Sequence, residues 1–430
     1  MSLFDTSSED SAASGNSPFL RPENMVHQMM PMSSKPAPRA SSSSKIMFRF
    51  SVWWCVASIV GILAGCGSAP RLVPSTAPNH VPAATPSASV PSAPVSTGGT
   101  TLLQPRSRWV AVAWSDIPGF ADDNLFEAWN AWIKSCEKPV APLAALCGEV
   151  RRLSIADGQA QRAWMQSRLQ PYRVESPQGE ATGLLTGYFE PQLEASRIPT
   201  ATFTVPLYQV PLTLAQRKPW FTRQEIDTLP QAQAALQGRA IAYLADPIDA
   251  LVLQIQGSGR LKLTQPDGSQ RWVRLAYAGN NDQPYRSVGR WLLDQGLIKD
   301  ASWPGIKAWL AQNPQRRQEL LWSNPRVVFF KEEPLSELDA AFGPKGAQGV
   351  ALTPGRSIAV DPGSIPYGTP VWLASTGPQV ALNRLVLAQD TGSDITGAVR
   401  ADYFAGWGTE AAELAGRLRQ PLQLWVFWPK

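Results

Sequence analysis

Histidine is almost missing: the 430 residues contain two, His27 and His80, both ahead of the part with globular composition. That removes Ser-His-Asp and Cys-His catalysis, histidine metal ligation and imidazole proton transfer from the folded part. Cysteine is scarce as well, at four. Charged residues make up 17% of the chain and the net charge is +5. No basic stripe stands out, so a nucleic-acid partner has no support, and Arg316-Arg317 reads as a solvated helix face. No apolar run approaches the roughly 20 residues that a membrane-spanning helix needs. A metal site would have to be an all-oxygen cluster, and the lone acids at these spacings do not form one. Neither metal nor cofactor is expected, and carboxylates are left as the acid-base groups.

Two carboxylates stand out. Asp390 and Asp402 lie twelve residues apart in a glycine-punctuated stretch, just after the apolar run Leu385-Val386-Leu387. Asp361, in Val360-Asp361-Pro362-Gly363-Ser364, precedes them in a similar setting. Aspartate is depleted from strands, so acids placed beside β-runs and turns are candidates for a site. Taken singly, each also reads as a turn residue that caps its own backbone. Asp361, followed by Ile-Pro-Tyr-Gly-Thr-Pro, favours that structural role.

The N-terminus supplies an address. Residues 1–44 are rich in Ser, Pro and Met and have no core-forming periodicity. Lys45 and Arg49 then precede an apolar run from Ser51 to Leu63 and Leu63-Ala64-Gly65-Cys66, the plan of a secretory signal. A cysteine after Leu-Ala-Gly resembles the bacterial lipobox, which implies acylation of Cys66, with residues 1–65 as extension plus signal. Met47 makes a conventional start for such a signal. Gly67, where an aspartate would mark inner-membrane retention, points to the outer membrane, with the protein facing the periplasm. Residues 66–104, rich in Pro, Ser and Ala, read as a semi-extended tether. Cys136 and Cys147 remain, an even pair in a compartment that permits disulfides, and a bridge between them is expected; two free thiols are the alternative.

From about 105 onward the composition is globular, and some 325 residues suffice for two domains. Asn124 to Glu127 reads as a capping-box-like start, with Phe126, Trp129, Ile133 and Cys136 at helical spacing. Residues 151–169 read as helix despite Gly158, and 284–322 as helices broken by Gly296, Pro304 and Pro314. Strands are expected at 184–190, 202–209, 250–256, 260–264, 271–276 and 326–331. Further strands are expected near 357–360, 369–374, 384–389 and 422–428, with a helix at 409–418. Helices with short non-alternating strands and no βαβ rhythm give α+β, mainly β, around a barrel.

Several motifs occur together and in order: Leu185-Thr186-Gly187-Tyr188-Phe189-Glu190-Pro191, Gln254-Ile255-Gln256-Gly257-Ser258-Gly259-Arg260, and Tyr277-Ala278-Gly279-Asn280-Asn281 with Pro284-Tyr285-Arg286-Ser287. Asn324-Pro325-Arg326-Val327-Val328-Phe329-Phe330, Leu352-Thr353-Pro354-Gly355-Arg356-Ser357 and the stretch holding Asp390 and Asp402 complete the set. Over roughly 105–430 the chain resembles the membrane-bound lytic murein transglycosylase A family. The resemblance implies a double-psi β-barrel, built from 105–191 and the three-aspartate segment 348–430. A second β-domain, 192–347, is inserted between them, and glycan lies in the groove between the two. It further implies cleavage of the β-1,4 bond between N-acetylmuramic acid and N-acetylglucosamine in peptidoglycan, leaving a 1,6-anhydromuramic end. Asp402 takes the catalytic position, with Asp390 beside it.

Those roles make chemical sense. A hydrolysing glycosidase normally needs two carboxyl groups. A lytic enzyme uses the substrate's own C6 hydroxyl as nucleophile, so one carboxyl serves first as acid and then as base. Asp402 must then be protonated near neutral pH, which calls for a raised pKa from burial or a neighbouring negative charge. The candidate glycan contacts are Thr186, Gly187, Tyr188, Gln256, Gly257, Ser258, Gly259, Tyr285, Thr391 and Gly392, and Trp407 is a further candidate ring for stacking on sugar faces. Each aromatic also reads as core.

The chain departs from the family pattern twice. Asp390-Thr391-Gly392-Ser393-Asp394 stands where Asp-Thr-Gly-Gly-Ala is expected, and Asn281-Asp282 replaces an Asn-Gly turn. Two other readings remain. Asp390-Thr391-Gly392-Ser393 also spells the pepsin-like peptidase signature, though those enzymes need a second such loop, and Asp361-Pro362-Gly363-Ser364 is a poor one. The other is a peptidoglycan-binding lipoprotein that has kept the groove and lost the reaction.

Overall fold

The computed structural model describes residues 100–378 and 380–430. Cys66 and most of the expected tether lie outside the described residues. The chain first forms β1 (Thr101–Leu103), β2 (Arg108–Ala111), β3 (Leu169–Glu175) and β4 (Gly183–Glu190). A middle stretch forms β5 (Gln192–Ser196), β6 (Val205–Tyr208), β7 (Ala240–Leu244), β8 (Ser258–Thr264), β9 (Gln270–Asn280) and β10 (Val328–Pro334). The last stretch forms β11 (Ser357–Val360), β12 (Pro370–Thr376), β13 (Ala381–Asp390), β14 (Arg400–Trp407) and β15 (Arg419–Pro429). Thr101–Leu103, expected within the tether, instead pairs antiparallel with β2, so the folded part begins slightly earlier than 105.

The first and last groups form one nine-stranded sheet in the order β1-β2-β3-β15-β12-β13-β11-β14-β4. Strand β4 pairs with both β14 and β15, closing β15, β12, β13, β11, β14 and β4 into a six-strand circuit. Two of its pairings, β11 with β13 and β14 with β4, are parallel. This is the expected mixed barrel, completed by both ends of the folded chain. Both of its faces are covered. Val371 and Leu373 of β12 join one core cluster, while the intervening Trp372 and Ala374 join another. Strands buried on both sides read as continuous apolar runs, which is why period-two alternation is missing from them.

The outer core is closed by the helix Leu125–Ser135, whose Leu125, Ala128, Trp129 and Trp132 are buried. Asn124 caps it by accepting from the Phe126 N–H at 3.1 Å. The expected capping box is not made, because Glu127 accepts from Arg356 Nε at 3.2 Å instead. Cys136, just past this helix, is bonded to Cys147. The stretch expected as one helix over 151–169 is broken. A first helix ends at Arg152, and Gly158–Arg168 starts anew with Asp157 as its cap, so Gly158 sits at a helix start rather than inside one.

Between β4 and β11 the chain leaves the barrel through Pro191 and forms a second sheet, order β10-β9-β8-β5-β7-β6, before returning after Pro334. Residues 250–256, expected as a strand, belong instead to the helix Pro247–Gln256. Asp246 caps it through the Ile248 N–H, Pro247 fills its first turn, and Gly257 ends it at φ 80°. End signals of both kinds bracket the segment and outweigh the strand preference of its Val and Ile residues. Asp282 takes φ 54°, the left-handed conformation that the replaced glycine would favour, so the turn survives the substitution.

Candidate active site

A groove of about 750 Å³ runs between the barrel and the second sheet. The barrel contributes Gly187 and Tyr188 from β4, Arg400 and Asp402 from β14, and the loop Asp390 to Ile395 that follows β13. The second sheet side contributes Gln254, Gln256, Gly257, Ser258, Tyr277, Asn280, Tyr285, Arg326 and Lys331.

Pairing register brings the two acids here from distant sequence. Asp402 lies opposite Thr186 on the parallel neighbour β4 and opposite Ala359 on β11, and Ala359 also lies opposite Asp390 on β13. Thr186 Oγ donates to Asp402 Oδ1 at 2.5 Å. Asp402 keeps part of its surface open to the groove but is otherwise surrounded by protein. Loss of water around it pushes its pKa up to about 6, against the lowering pull of the Thr186 hydrogen bond and of Arg400; the negative charge of Asp390 adds to the rise.

Asp390 is held differently. Its Oδ1 accepts from the Ala347 and Thr391 N–H groups at 2.9 Å each, and its Oδ2 accepts from Tyr188 Oη at 2.9 Å. Burial raises its pKa, and these three donors work the other way. The Tyr188 phenol is pushed well above its ordinary value by burial and by the Asp390 charge, so it remains a donor at any ordinary pH. Two acids with raised pKa values therefore sit near each other, and one of them, Asp390, is fixed from three sides.

Most of the residues expected at the site meet in the groove. Gly187, Tyr188, Gln256, Gly257, Ser258, Tyr285, Thr391 and Gly392 line it, and Thr186 touches Asp402 directly. Several have structural work there as well. Gln256 Oε1 accepts from the Phe189 N–H at 2.9 Å, and Thr391 Oγ donates to the Val360 carbonyl at 2.8 Å. At Gly187 a Cβ would come within 2.8 Å of Ala415 Cα, so the helix Gly408–Arg417 requires glycine there.

Two of the other candidates lie outside the groove lining. Gly259 does not line the groove; a Cβ there would meet Leu253 at 2.1 Å, so it is a packing glycine between β8 and the helix beneath it. Trp407 does not line the groove; it is partly exposed, with the Arg260 guanidinium 3.7 Å from its ring. Glu190, the acid of the β4 motif, is fully buried, with ion pairs to Arg260 and Arg274 at 2.6 Å each.

Asp361 has the structural place its sequence favoured. It is buried, accepts from the Gly363 and Gly397 N–H groups, and pairs with Arg106 at 3.0 Å. Its carboxylate is committed and cannot serve as the second member of a peptidase dyad. Gln389, beside the other loop, is buried and bonded to Ala131, Ser135 and Ser357.

The groove also holds Arg326, Lys331, Lys345 and Arg400, none singled out in the sequence. Arg400 had a readable signal: two residues before Asp402 on a strand, it shares that residue's face. Asp394, the extra acid, is exposed in the groove wall. Partial burial raises its pKa, and Arg326 and Arg400 oppose the rise.

Comparison with known proteins agrees with this architecture. Residues 184–331 match the model of the MltA specific insert domain, and 356–428 match that of the 3D domain. Membrane-bound lytic murein transglycosylase A of Vibrio cholerae is 34% identical over 257 residues, or 56% of this chain and 64% of that protein. The chain thus spans just under two thirds of that relative's length. A solved lytic transglycosylase, LtgG, of Burkholderia pseudomallei is 41% identical, covering 78% of this chain and 98% of its own, with a TM-score of 0.54. MltA from Neisseria gonorrhoeae is 31% identical, covering 77% and 95%, with a TM-score of 0.64. With both of its domains matched in order and its groove in place, this chain belongs to the membrane-bound lytic murein transglycosylase A family.

Proposed function

We propose that this protein is a lytic transglycosylase that cleaves the β-1,4 bond between N-acetylmuramic acid and N-acetylglucosamine in peptidoglycan, with Asp402 as its acid and then its base. The observation that carries the reading is the Asp402 environment: a pKa of about 6, an opening to the groove and a short bond from Thr186. Protonated Asp402 gives its proton to the glycosidic oxygen as that bond breaks. The resulting carboxylate then takes the proton of the muramic C6 hydroxyl, whose oxygen closes onto C1 to form the 1,6-anhydro ring. No water is consumed, so no second carboxyl is needed to activate one.

Asp390 supports this cycle as a fixed negative charge that helps keep Asp402 protonated and anchors the loop carrying Thr391 and Gly392. Gln256, Ser258 and Tyr285 are the candidate glycan contacts on the opposite wall. We place the enzyme at the outer membrane through acylated Cys66, facing the periplasm; the relative's name, membrane-bound, supports membrane association in general.

The test is a digest of purified sacculi, with chelator present, read by mass spectrometry beside Asp402→Asn. Anhydromuropeptides that vanish in the variant are expected. Products carrying an added water would mean hydrolysis. Binding of sacculi without any release would make the protein a receptor.

A further inference from the structure

A second cleft, of about 490 Å³, lies on the other sheet's far edge and shares no lining residue with the groove. Its floor is formed by Pro206 and Tyr208 of β6 and by Thr204 just before it, while Leu207 is buried in the core on the opposite face. Tyr243 of β7 stands opposite Pro206 in the pairing register. The helix Pro230–Leu236 and the turn after it supply Gln233 and Gln237 to the other wall.

The chemistry of this cleft differs sharply from that of the groove. None of its lining residues is charged, whereas the groove presents four Lys and Arg side chains and several carboxylates. It offers two half-buried phenols, a hydroxyl and two exposed amides, of which Gln233 already donates to the Asp227 carbonyl at 2.9 Å, set among Ile226, Leu236 and Pro206. An uncharged, polyhydroxylated ligand suits that set: the rings and aliphatic side chains cover its apolar faces, and amides and hydroxyls meet its polar edges. An anionic stem peptide would find no counter-charge here. A peptide adding to the sheet is also disfavoured, because β6 is the edge strand and a proline on an edge strand presents its missing N–H outward.

We propose that this cleft is a second saccharide site, which holds an uncharged N-acetylated amino-sugar unit of a glycan strand while another part of the wall occupies the catalytic groove. The proposal rests on the proposed function for the glycan class of the ligand and, in its advantage, for the lipid tether. A lipid-tethered enzyme gains from such a contact, since a second weak site on a repeating polymer raises its effective concentration at the first.

The probe is N-acetylchitotetraose, added to the full chain and followed by hydrogen exchange at peptide resolution. Protection is expected in segments covering 204–208 and 233–243, separate from protection at 254–258 and 390–402. Gln237→Lys alters an exposed side chain and should abolish only the first set. Tyr243→Ala should weaken binding at that set by about tenfold, the loss of one stacked ring contact. Both variants should release anhydromuropeptides from short soluble strands at the wild-type rate, yet bind sacculi more weakly. Protection confined to the groove at saturating sugar would overturn the proposal and leave the catalytic reading standing. So would protection of 204–243 that survives Gln237→Lys, or protection by an uncharged peptide and not by the sugar. Failure of the catalytic reading would appear separately, as Asp402→Asn still releasing product.

Discussion

Glu190 and Asp402 are both carboxylates on barrel strands that face the second sheet, and the protein treats them in opposite ways. Glu190 ends β4 and is matched by two arginines, Arg260 from β8 and Arg274 from β9. The same arginines donate to the carbonyls of Ala340 and Phe342 on the returning chain, and Trp407 of β14 covers Arg260. That cluster ties barrel, second sheet and return segment together around a charge that is fully satisfied. Asp402, on β14 directly beside β4 in the same sheet, receives one hydroxyl and no ion pair. A carboxylate that must hold the fold is surrounded by cations. One that must give up and regain a proton is kept short of them.

The largest expected effect tests the second half of that contrast. Asp402→Asn should reduce the rate of anhydromuropeptide release by about 10²- to 10⁴-fold, since the amide has no proton to give. The fold should not suffer. Burial raises the pKa of Asp402 from 3.8 to about 6 in the folded chain, so its contribution to stability is fully present below 3.8 and is lost as pH rises through about 6. At pH 8 the variant, which carries no charge there, should unfold at the wild-type temperature or higher, with a gain of at most about 1–2 kcal/mol given the partial opening to water. A variant that is both inactive and clearly destabilised would make Asp402 a structural residue.

Glu190→Gln should give the mirror image. Removing one partner from a buried cluster leaves two arginines uncompensated, at a cost of about 3–5 kcal/mol. A large drop in melting temperature is expected, with the rate per folded molecule near wild type. If instead activity fell while the melting temperature held, the assignment of roles to the two carboxylates would have to be exchanged.

How much of this contrast was readable beforehand depends on what each residue's neighbours are. Asp390, Asp402 and the motif on β4 stood out because glycines and hydroxyl residues cluster around them in a folded part without histidine. The barrel was legible from its order of motifs, and its strands from apolar runs. The role of Glu190 was not legible, because Arg260 and Arg274 are 70 and 84 residues away and nothing local links them. The contact of Trp407 with Arg260 was hidden for the same reason, since it crosses from one domain to the other. The helix Pro247–Gln256 was misread because its interior looks like strand, although Asp246-Pro247 and Gly257 carried the end signals. Local chemistry was readable; pairing over long sequence separation was not.

Smaller changes around Asp402 sharpen the comparison. The Thr186 hydroxyl stabilises the ionised form and lowers its pKa, so Thr186→Val should raise that pKa and move the alkaline limb of the pH–rate profile to higher pH. The rate at the optimum should fall only several-fold, because the proton donor itself remains. Replacing Arg400 with Gln should move the limb the same way, since its positive charge also favours the ionised acid. A limb that moves to lower pH in either variant would contradict the electrostatics described here.

The smallest effect is expected at Asp394, where this chain departs from the family pattern. Its carboxylate is exposed and lies in the field of Arg326 and Arg400, with no ion pair between them short enough to count as contact. Screening by water limits what such a charge does at a distance. Asp394→Ala leaves the Arg400 charge less offset, so the Asp402 carboxylate is favoured a little more and the alkaline limb should shift slightly to lower pH. The turnover of soluble glycan strands should stay within about twofold of wild type, the range of a screened surface charge. Raising the salt concentration should shrink even that difference, because it screens the exposed pair and leaves the recessed Asp402 largely untouched. A tenfold loss that persists in high salt would instead place Asp394 among the groups that meet the substrate, and make the extra acid a working part of this groove.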